Sequence, residues 1–280
     1  MKTKLIAAVV LMSTSAFAAG TNPLGLQLWS LRNQMQASVP AGMDLVRSLG
    51  FTVVESAGTY NLTPKEFRAQ ADAHGLKIAC GHFPYDRMEK DLDGVIADAK
   101  VLGVSNVIVA WVPHTGEFTV ADAHVAAQNF NKFGAALKAA GMGFGFHTHG
   151  YEFKPLADGT SAYDVMLKET DPSLVFVEMD VFWVVAAGQD PVKLLQKNPD
   201  RYKMFHVKDM RKGATQVGYT GGAPVEDNVA VGEGRIDWPN LLKEGKKDGA
   251  DVCFVEDETS DPVKNIPTSL AYLATLGLKP

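Results

Sequence analysis

The feature that narrows this chain most is a rhythm. Eight short β-like runs recur along it, each followed by a polar or glycine-rich bend and then a helical stretch. The runs cover 24–29, 51–55, 76–82, 106–111, 142–147, 174–180, 203–208 and 251–256. Strands that alternate with helices indicate crossover units and hence a parallel sheet. The runs are apolar enough to be covered on both faces. Between them, Ala126, Phe130, Phe133 and Leu137 recur at helical spacing and share one helix face. Thr63 before Pro64 reads as a hydroxyl cap followed by proline at the first helical position. Asp237 before Trp238, Leu241 and Leu242 reads as a second helix start. Gly50, Gly75, Gly103, Gly141 and Gly277 fall where helices should end. Eight such units, with no G-x-G-x-x-G after the first strand, predict a closed (β/α)8 TIM barrel rather than an open dinucleotide-binding sheet. The chain's 280 residues suit one such domain, and no linker-like tract divides them.

The first residues stand outside that rhythm. Lys2 and Lys4 precede an apolar run, 5–12, and Ala16-Phe17-Ala18 follows as an A-x-A cleavage site. This is the pattern of a secretory signal peptide. The expected organisation is therefore a signal at 1–18 and a barrel at 19–280. The mature protein is expected to be exported, with the periplasm as its natural compartment and no membrane-spanning segment. Removing two lysines and no acids takes the formal charge from −5 to −7. An acidic chain without a basic run is a poor nucleic-acid binder, because phosphate contacts dominate that affinity. Export permits a disulfide, but Cys80 and Cys253 both sit inside apolar strand-like runs and read as small buried hydrophobes. Homo-oligomerisation is left open.

Active sites of such barrels gather at the carboxyl ends of the strands. The second run ends in Glu55 and the third in His82. The fifth ends in His147, followed by His149 and Glu152, and the sixth ends in Asp180. The seventh carries His206, Lys208 and Asp209. The eighth ends in Glu256, followed by Asp257 and Glu258. Any one of these could simply cap a loop or pair with a basic residue. The last four strands each deliver a His, Asp or Glu to the same rim, and packing alone does not ask for that. A mixed imidazole and carboxylate shell without cysteine suits a divalent cation such as Mn, Zn, Co or Mg rather than a closed structural zinc. The glycine-rich stretch 211–234, between the seventh strand and its helix, is expected to lie over this face.

Five segments in order, GFHTHGYEF at 145–153, VEMDVFW at 177–183, FHVKD at 205–209, VGEGRIDW at 231–238 and FVE at 254–256, resemble the xylose isomerase-like TIM-barrel family. That family includes sugar and sugar-phosphate isomerases and epimerases, inosose dehydratases and related endonucleases. The ordered match covers roughly 142–258; the first half matches only in its strand–helix rhythm. The resemblance implies a metal held by Asp180, His206 and Glu256. On the fifth strand many relatives carry a glutamate where this chain has His147. Glu152 keeps the shell rich in carboxylates and is placed as the fourth ligand, leaving His147 as a base; the converse, His147 as the ligand itself, stays open.

The resemblance implies a divalent-metal-dependent sugar isomerase or epimerase acting by proton abstraction next to a carbonyl, through a metal-stabilised enediolate. The catalytic candidates are His147, Glu256 and Lys208, with His149 a further candidate base. Lys208 could hold or protonate a substrate oxygen, or be tied up with Asp209 or Asp180. The substrate-binding candidates are Glu55, His82, His149 and Trp183. Glu55 reads equally as an internal ion-pair partner, and His82 as a polar contact rather than a ligand. Trp183 is expected to wall the pocket, whereas Phe146 and Trp238 read as packing. The alternatives are a lyase or dehydratase acting on keto-sugars or keto-glycosides, and a non-catalytic sugar-binding protein. Export favours a free ketose or keto-glycoside over a sugar phosphate, which is a cytoplasmic metabolite. An endonuclease is disfavoured by the acidic charge.

Overall fold

The computed structural model describes residues 24–280 except Gln216, Val217, Asp248 and Asp251. The signal at 1–18 lies outside the described residues. Eight parallel strands close into a barrel: β1 (Gly25–Gln27), β2 (Val53–Ala57), β3 (Lys77–His82), β4 (Asn106–Val109), β5 (Gly143–His147), β6 (Phe176–Asp180), β7 (Tyr202–Val207) and β10 (Val252–Val255). β1 closes the ring by pairing with β10 on one side and β2 on the other. The remaining two strands, β8 (Asp209–Met210) and β9 (Asn228–Val229), form a separate antiparallel ribbon. The fold is the single (β/α)8 TIM barrel expected from the rhythm.

The local signals act as read. Thr63 caps the helix Pro64–Ala73 in a reciprocal box with Glu66. Gly50, Gly75, Gly103, Gly141 and Gly277 all take positive φ beyond helix ends. Ala126, Phe130, Phe133 and Leu137 are all buried on the helix Val120–Ala139. The strand limits shift where a side chain takes over the backbone. The first run ends as a strand at Gln27, because the Gln27 side chain accepts from the Trp29 amide and starts the 3-10 turn Leu28–Leu31. Similarly, Asp180 accepts from the Trp183 amide at 3.1 Å and starts the helix Val181–Ala186.

The two-residue strand period builds the barrel interior in layers. Cys80, Ile108, Met204 and Phe254 form a buried apolar plug, with Val53 and Phe176 packed against it. Two residues further along the same strands stand His82, His206, Glu256, Glu55 and Glu178. Register places them as neighbours: His147 opposite Glu178, Asp180 opposite His206, and Gln27 opposite Glu55. Gly25 makes room for the Phe254 ring, which a Cβ at that position would strike. Cys80 and Cys253 are both buried and neither forms a disulfide, as their apolar context suggested. Cys80 is more than a filler, since its thiol donates to Glu55 at 2.9 Å.

Candidate active site

Above the plug lies a buried network of acids and imidazoles. Glu178 Oε2 is its node: it lies 3.0 Å from His147 Nδ1, 3.1 Å from His82 Nε2 and 3.3 Å from His206 Nε2. Glu55 lies alongside, accepting from Gln27 Nε2 at 2.7 Å and standing 2.6 Å from His206 Nε2. Burial and the Glu178 charge push the Glu55 carboxyl up. Burial works against ionising Glu178 as well, but His206 and the imidazole hydrogen bonds hold it well below the usual carboxylate range. An ionised carboxylate only accepts hydrogen bonds. His147 must therefore carry its proton on Nδ1. Burial and the neighbouring His206 push its pKa down to about 4, so near neutral pH the ring is uncharged and Nε2 keeps a free lone pair. That lone pair faces Asp180 Oδ2 at 3.7 Å.

On the rim side of this network, Asp180, His206 and Glu256 each offer one donor atom within 4.8 Å of the others. His206 connects the two levels, with Nδ1 3.2 Å from Glu256 and Nε2 turned to Glu55. Burial opposes charge on this ring, yet Glu178, Glu256 and Glu55 hold its pKa well above the ordinary value. The residues present fit a divalent cation. Asp180 Oδ2 is buried without a hydrogen-bond partner, as is Glu152 Oε2. Burial pushes both carboxyls up to about 7. Desolvated carboxylate oxygens beside an imidazole are the donor set such an ion takes, with His206 giving up a ring proton as the ion binds. Among the described residues, His82, His147, Glu178 and His206 also bring donor atoms within 4.8 Å of one another, as do Glu55, Cys80 and Glu178. Here the nitrogens already bond to carboxylates, the arrangement that orients ligating histidines from behind.

Lys208 lies buried beside these acids. Its ammonium lies 3.5 Å from Glu256 and 3.8 Å from Asp180, and it is hydrogen-bonded to Glu258. Burial disfavours the charge, but these three acids hold the ammonium above its usual range. Of the two partners left open in the sequence, Asp180 faces Lys208 and Asp209 does not. Asp209 instead anchors the loop over the face, accepting from the amides of Met210, Gly232 and Ile236 and from the Trp238 indole. Gly221 of that loop has φ +69°, and its Cα lies so close to Trp111 that an added Cβ would meet the ring at 2.7 Å. The glycine-rich stretch thus does reach the active face, over Trp111.

The network opens into a pocket of about 420 Å³. His82, His147, His149, Trp183, Glu256 and Glu258 line its floor. Trp183 stacks on His149 at 4.7 Å and 22° and faces the Lys208 ammonium at 5.0 Å. Glu152 accepts from the His149 amide at 2.9 Å and does not line the pocket. Phe146 stacks on Phe130 and Trp238 is fully buried, both as packing. The sequence reading missed Glu178 and Gln27. Glu178 was legible: it stands two residues before Asp180, on the same face of β6. Gln27 was not, because an amide at a strand end carries no distinctive signal.

A barrel whose carboxyl rim converges imidazoles and carboxylates on one cation-competent point defines a metal-site TIM-barrel class. More narrowly, the chain belongs to the xylose isomerase-like TIM-barrel family, whose model matches residues 43–276. Among curated proteins it is similar to the inosose dehydratase of Lacticaseibacillus casei, 22% identical over 258 residues that cover 83% of this chain and 86% of that one. It is also similar to the inosose dehydratase of Clostridium perfringens strain 13, 26% identical over 256 residues, 82% and 85% of the two chains. A solved sugar phosphate isomerase/epimerase from Parabacteroides distasonis superposes with a TM-score of 0.72 at 28% identity, covering 92% of this chain and 95% of that one. An IOLI protein solved with a binding zinc atom shares the fold, with a TM-score of 0.70 at 14% identity, covering 91% and 98%.

Proposed function

We propose that this protein is a divalent-metal-dependent enzyme that removes a proton from the carbon next to a carbonyl in an uncharged sugar or cyclic polyol. The observation that carries this reading is the convergence of Asp180, His206 and Glu256 within 4.8 Å, directly beneath an aromatic-walled pocket that Glu256 and an uncharged His147 line. Asp180, His206 and Glu256, with His147 or Glu152 from the fifth strand and its loop, would hold the ion, which as a Lewis acid supplies charge stabilisation for the substrate's oxygens.

The chain's own residues supply the rest. The Glu178 carboxylate fixes the His147 tautomer and aims Nε2 into the site. Two roles suit that lone pair: ligand, with Glu178 behind it as in carboxylate–histidine–metal arrangements, or base, within reach of a substrate C–H. Lys208, kept protonated by Glu256, Asp180 and Glu258, donates to a substrate oxygen and offsets part of the buried negative charge. The stacked His149 and Trp183 rings line the pocket and would pack against the apolar side of a sugar ring. The pocket lining contains no arginine or lysine, and Lys208 already faces three acids. Among the described residues no lining side chain is left to pair with a phosphate, which favours an uncharged substrate. That agrees with an exported protein working in the periplasm, as the amino-terminal pattern suggests.

After proton abstraction two outcomes are open to such a site. Return of the proton to the same or a neighbouring atom is epimerisation or isomerisation; expulsion of a substituent one carbon further is elimination. The names of the curated relatives, inosose dehydratases, favour the second as the alternative reading. Incubating the metal-loaded protein with keto-sugars and keto-polyols in D₂O tests both. Deuterium in a rearranged sugar supports isomerisation, and loss of water or an aglycone supports elimination. Exchange should stop on removing the ion with a chelator and return with Mn or Zn. Neither exchange nor elimination with any of these substrates overturns the proposal.

A further inference from the structure

The pocket has two unlike halves. All its ionisable side chains stand on the floor. The outer half is formed by Trp29, Ala57, Gly58, Phe83, Pro84, Ala110 and Trp111, with no ionisable side chain among them. Trp29 and Trp111 are among the few large apolar side chains that stay exposed, at 44% and 40%. Exposed indoles at a site mouth contribute when they are held still, and both are. The Trp29 indole N–H donates to Glu258 at 2.8 Å, and the Arg32 guanidinium lies 5.0 Å from its ring centroid. Trp111 stacks on His114 at 5.1 Å and meets the edge of Tyr151 at 4.6 Å, with Gly221 closing on its rim. Glu258 joins the halves: one carboxylate oxygen takes the Trp29 indole and the other takes Lys208, buried beneath the floor.

We infer that this outer half is a second subsite, which holds a flat aromatic group attached to the reacting sugar, so that the substrate is an aryl glycoside rather than a free monosaccharide. The inference rests on the reading that the floor acts on a sugar. A free monosaccharide carries hydroxyls around its ring, and the floor's carboxylates and imidazoles can satisfy them. None of the side chains that line the outer half is of that kind. A second sugar ring placed there would turn part of its hydroxyls onto Phe83, Pro84 and alanine, where no lining side chain hydrogen-bonds them. The Trp29 N–H is already taken by Glu258. An aromatic ring makes no such demand and gains from offset or edge contacts with the two indoles.

The test is equilibrium binding of three probes to the intact protein: phenyl β-glucoside, methyl β-glucoside and cellobiose. Phenyl glucoside should bind about tenfold more tightly than methyl glucoside, the gain expected from contacts with two rigid aromatic faces. Trp29→Ala and Trp111→Ala should each cut that ratio to about threefold or less, and Trp111→Phe should keep most of it. A misfolded variant would lose both ligands alike, so the ratio separates the subsite from general damage. A phenyl-to-methyl ratio near one, no measurable binding of phenyl glucoside, or cellobiose binding more tightly than phenyl glucoside would each overturn the inference. The two readings fail separately. No deuterium exchange with keto-sugars would refute the catalytic proposal without changing the binding ratio, and a flat ratio would refute the subsite without touching the exchange.

Discussion

Glu178→Gln is the perturbation that probes the site's design most directly. The replacement keeps shape and removes charge at the point where three imidazole nitrogens converge, at 3.0, 3.1 and 3.3 Å. A hydrogen bond to a charged group contributes about 1.5–3 kcal/mol and one between neutral groups about 0.5–1.5, so each contact weakens by roughly 1–1.5 kcal/mol. His147 and His206 are the two of these rings that also face Asp180 or Glu256. Two weakened supports amount to about 2–3 kcal/mol, or a roughly 30- to 140-fold loss of metal affinity, near the upper end of the usual cost of removing a residue that orients a ligand. The amide can also donate to His147 Nδ1, which would move the ring proton to Nε2 and turn a lone pair into an N–H facing Asp180. Metal affinity is measured by competition with a chelating dye, and the ¹⁵N shifts of the His147 ring report its tautomer. A variant that melts cooperatively, binds Zn or Mn within about twofold of the parent and keeps Nδ1 protonated would refute the claim that Glu178 orients these rings.

Two further outcomes follow from contacts away from the reacting centre. Asp209→Ala should lower stability by about 3–5 kcal/mol in urea unfolding, because it strands buried donors of Met210, Gly232 and Trp238; a loss under about 1 kcal/mol would show the loop to be held by other contacts. At Asp164, burial alone would raise the pKa, but Lys197 at 2.6 Å and the Ser161 hydroxyl at 2.7 Å lower it. A carboxyl with a depressed folded pKa stabilises above its unfolded value and loses that contribution as pH falls through the folded value. Asp164→Asn should therefore cost stability at pH 7 and progressively less below about pH 4, where the unfolded carboxyl protonates; a difference that does not vary with pH would exclude the ion pair as its source.

Much of the site was legible as positions along strands. Asp180, His206 and Glu256 end three consecutive strands of the barrel, and a closed parallel sheet has one rim for such ends to share. His147 and Lys208 were placed by the same rule. Glu178 shows where that rule was under-used: the two-residue period that makes Asp180 face inward also turns Glu178 inward, one layer deeper. The relation between Lys208 and its acids was beyond the sequence. Asp209 is its chain neighbour, yet successive residues point to opposite sides, and the acids Lys208 meets come from β6, from the end of β10 and from the segment beyond it.

The amino-acid order by itself determined the eight-unit rhythm, the helix caps and stops, and which faces are apolar, because those follow from local dihedral preferences and side-chain period. Which nitrogen of His147 carries the proton, which oxygen of Asp180 is left without a partner, and how an apolar mouth comes to sit above an acidic floor were decided only by the closed barrel. Those properties depend on distances of a few ångströms between strands that are far apart in the chain, and on the loss of water that their closure imposes.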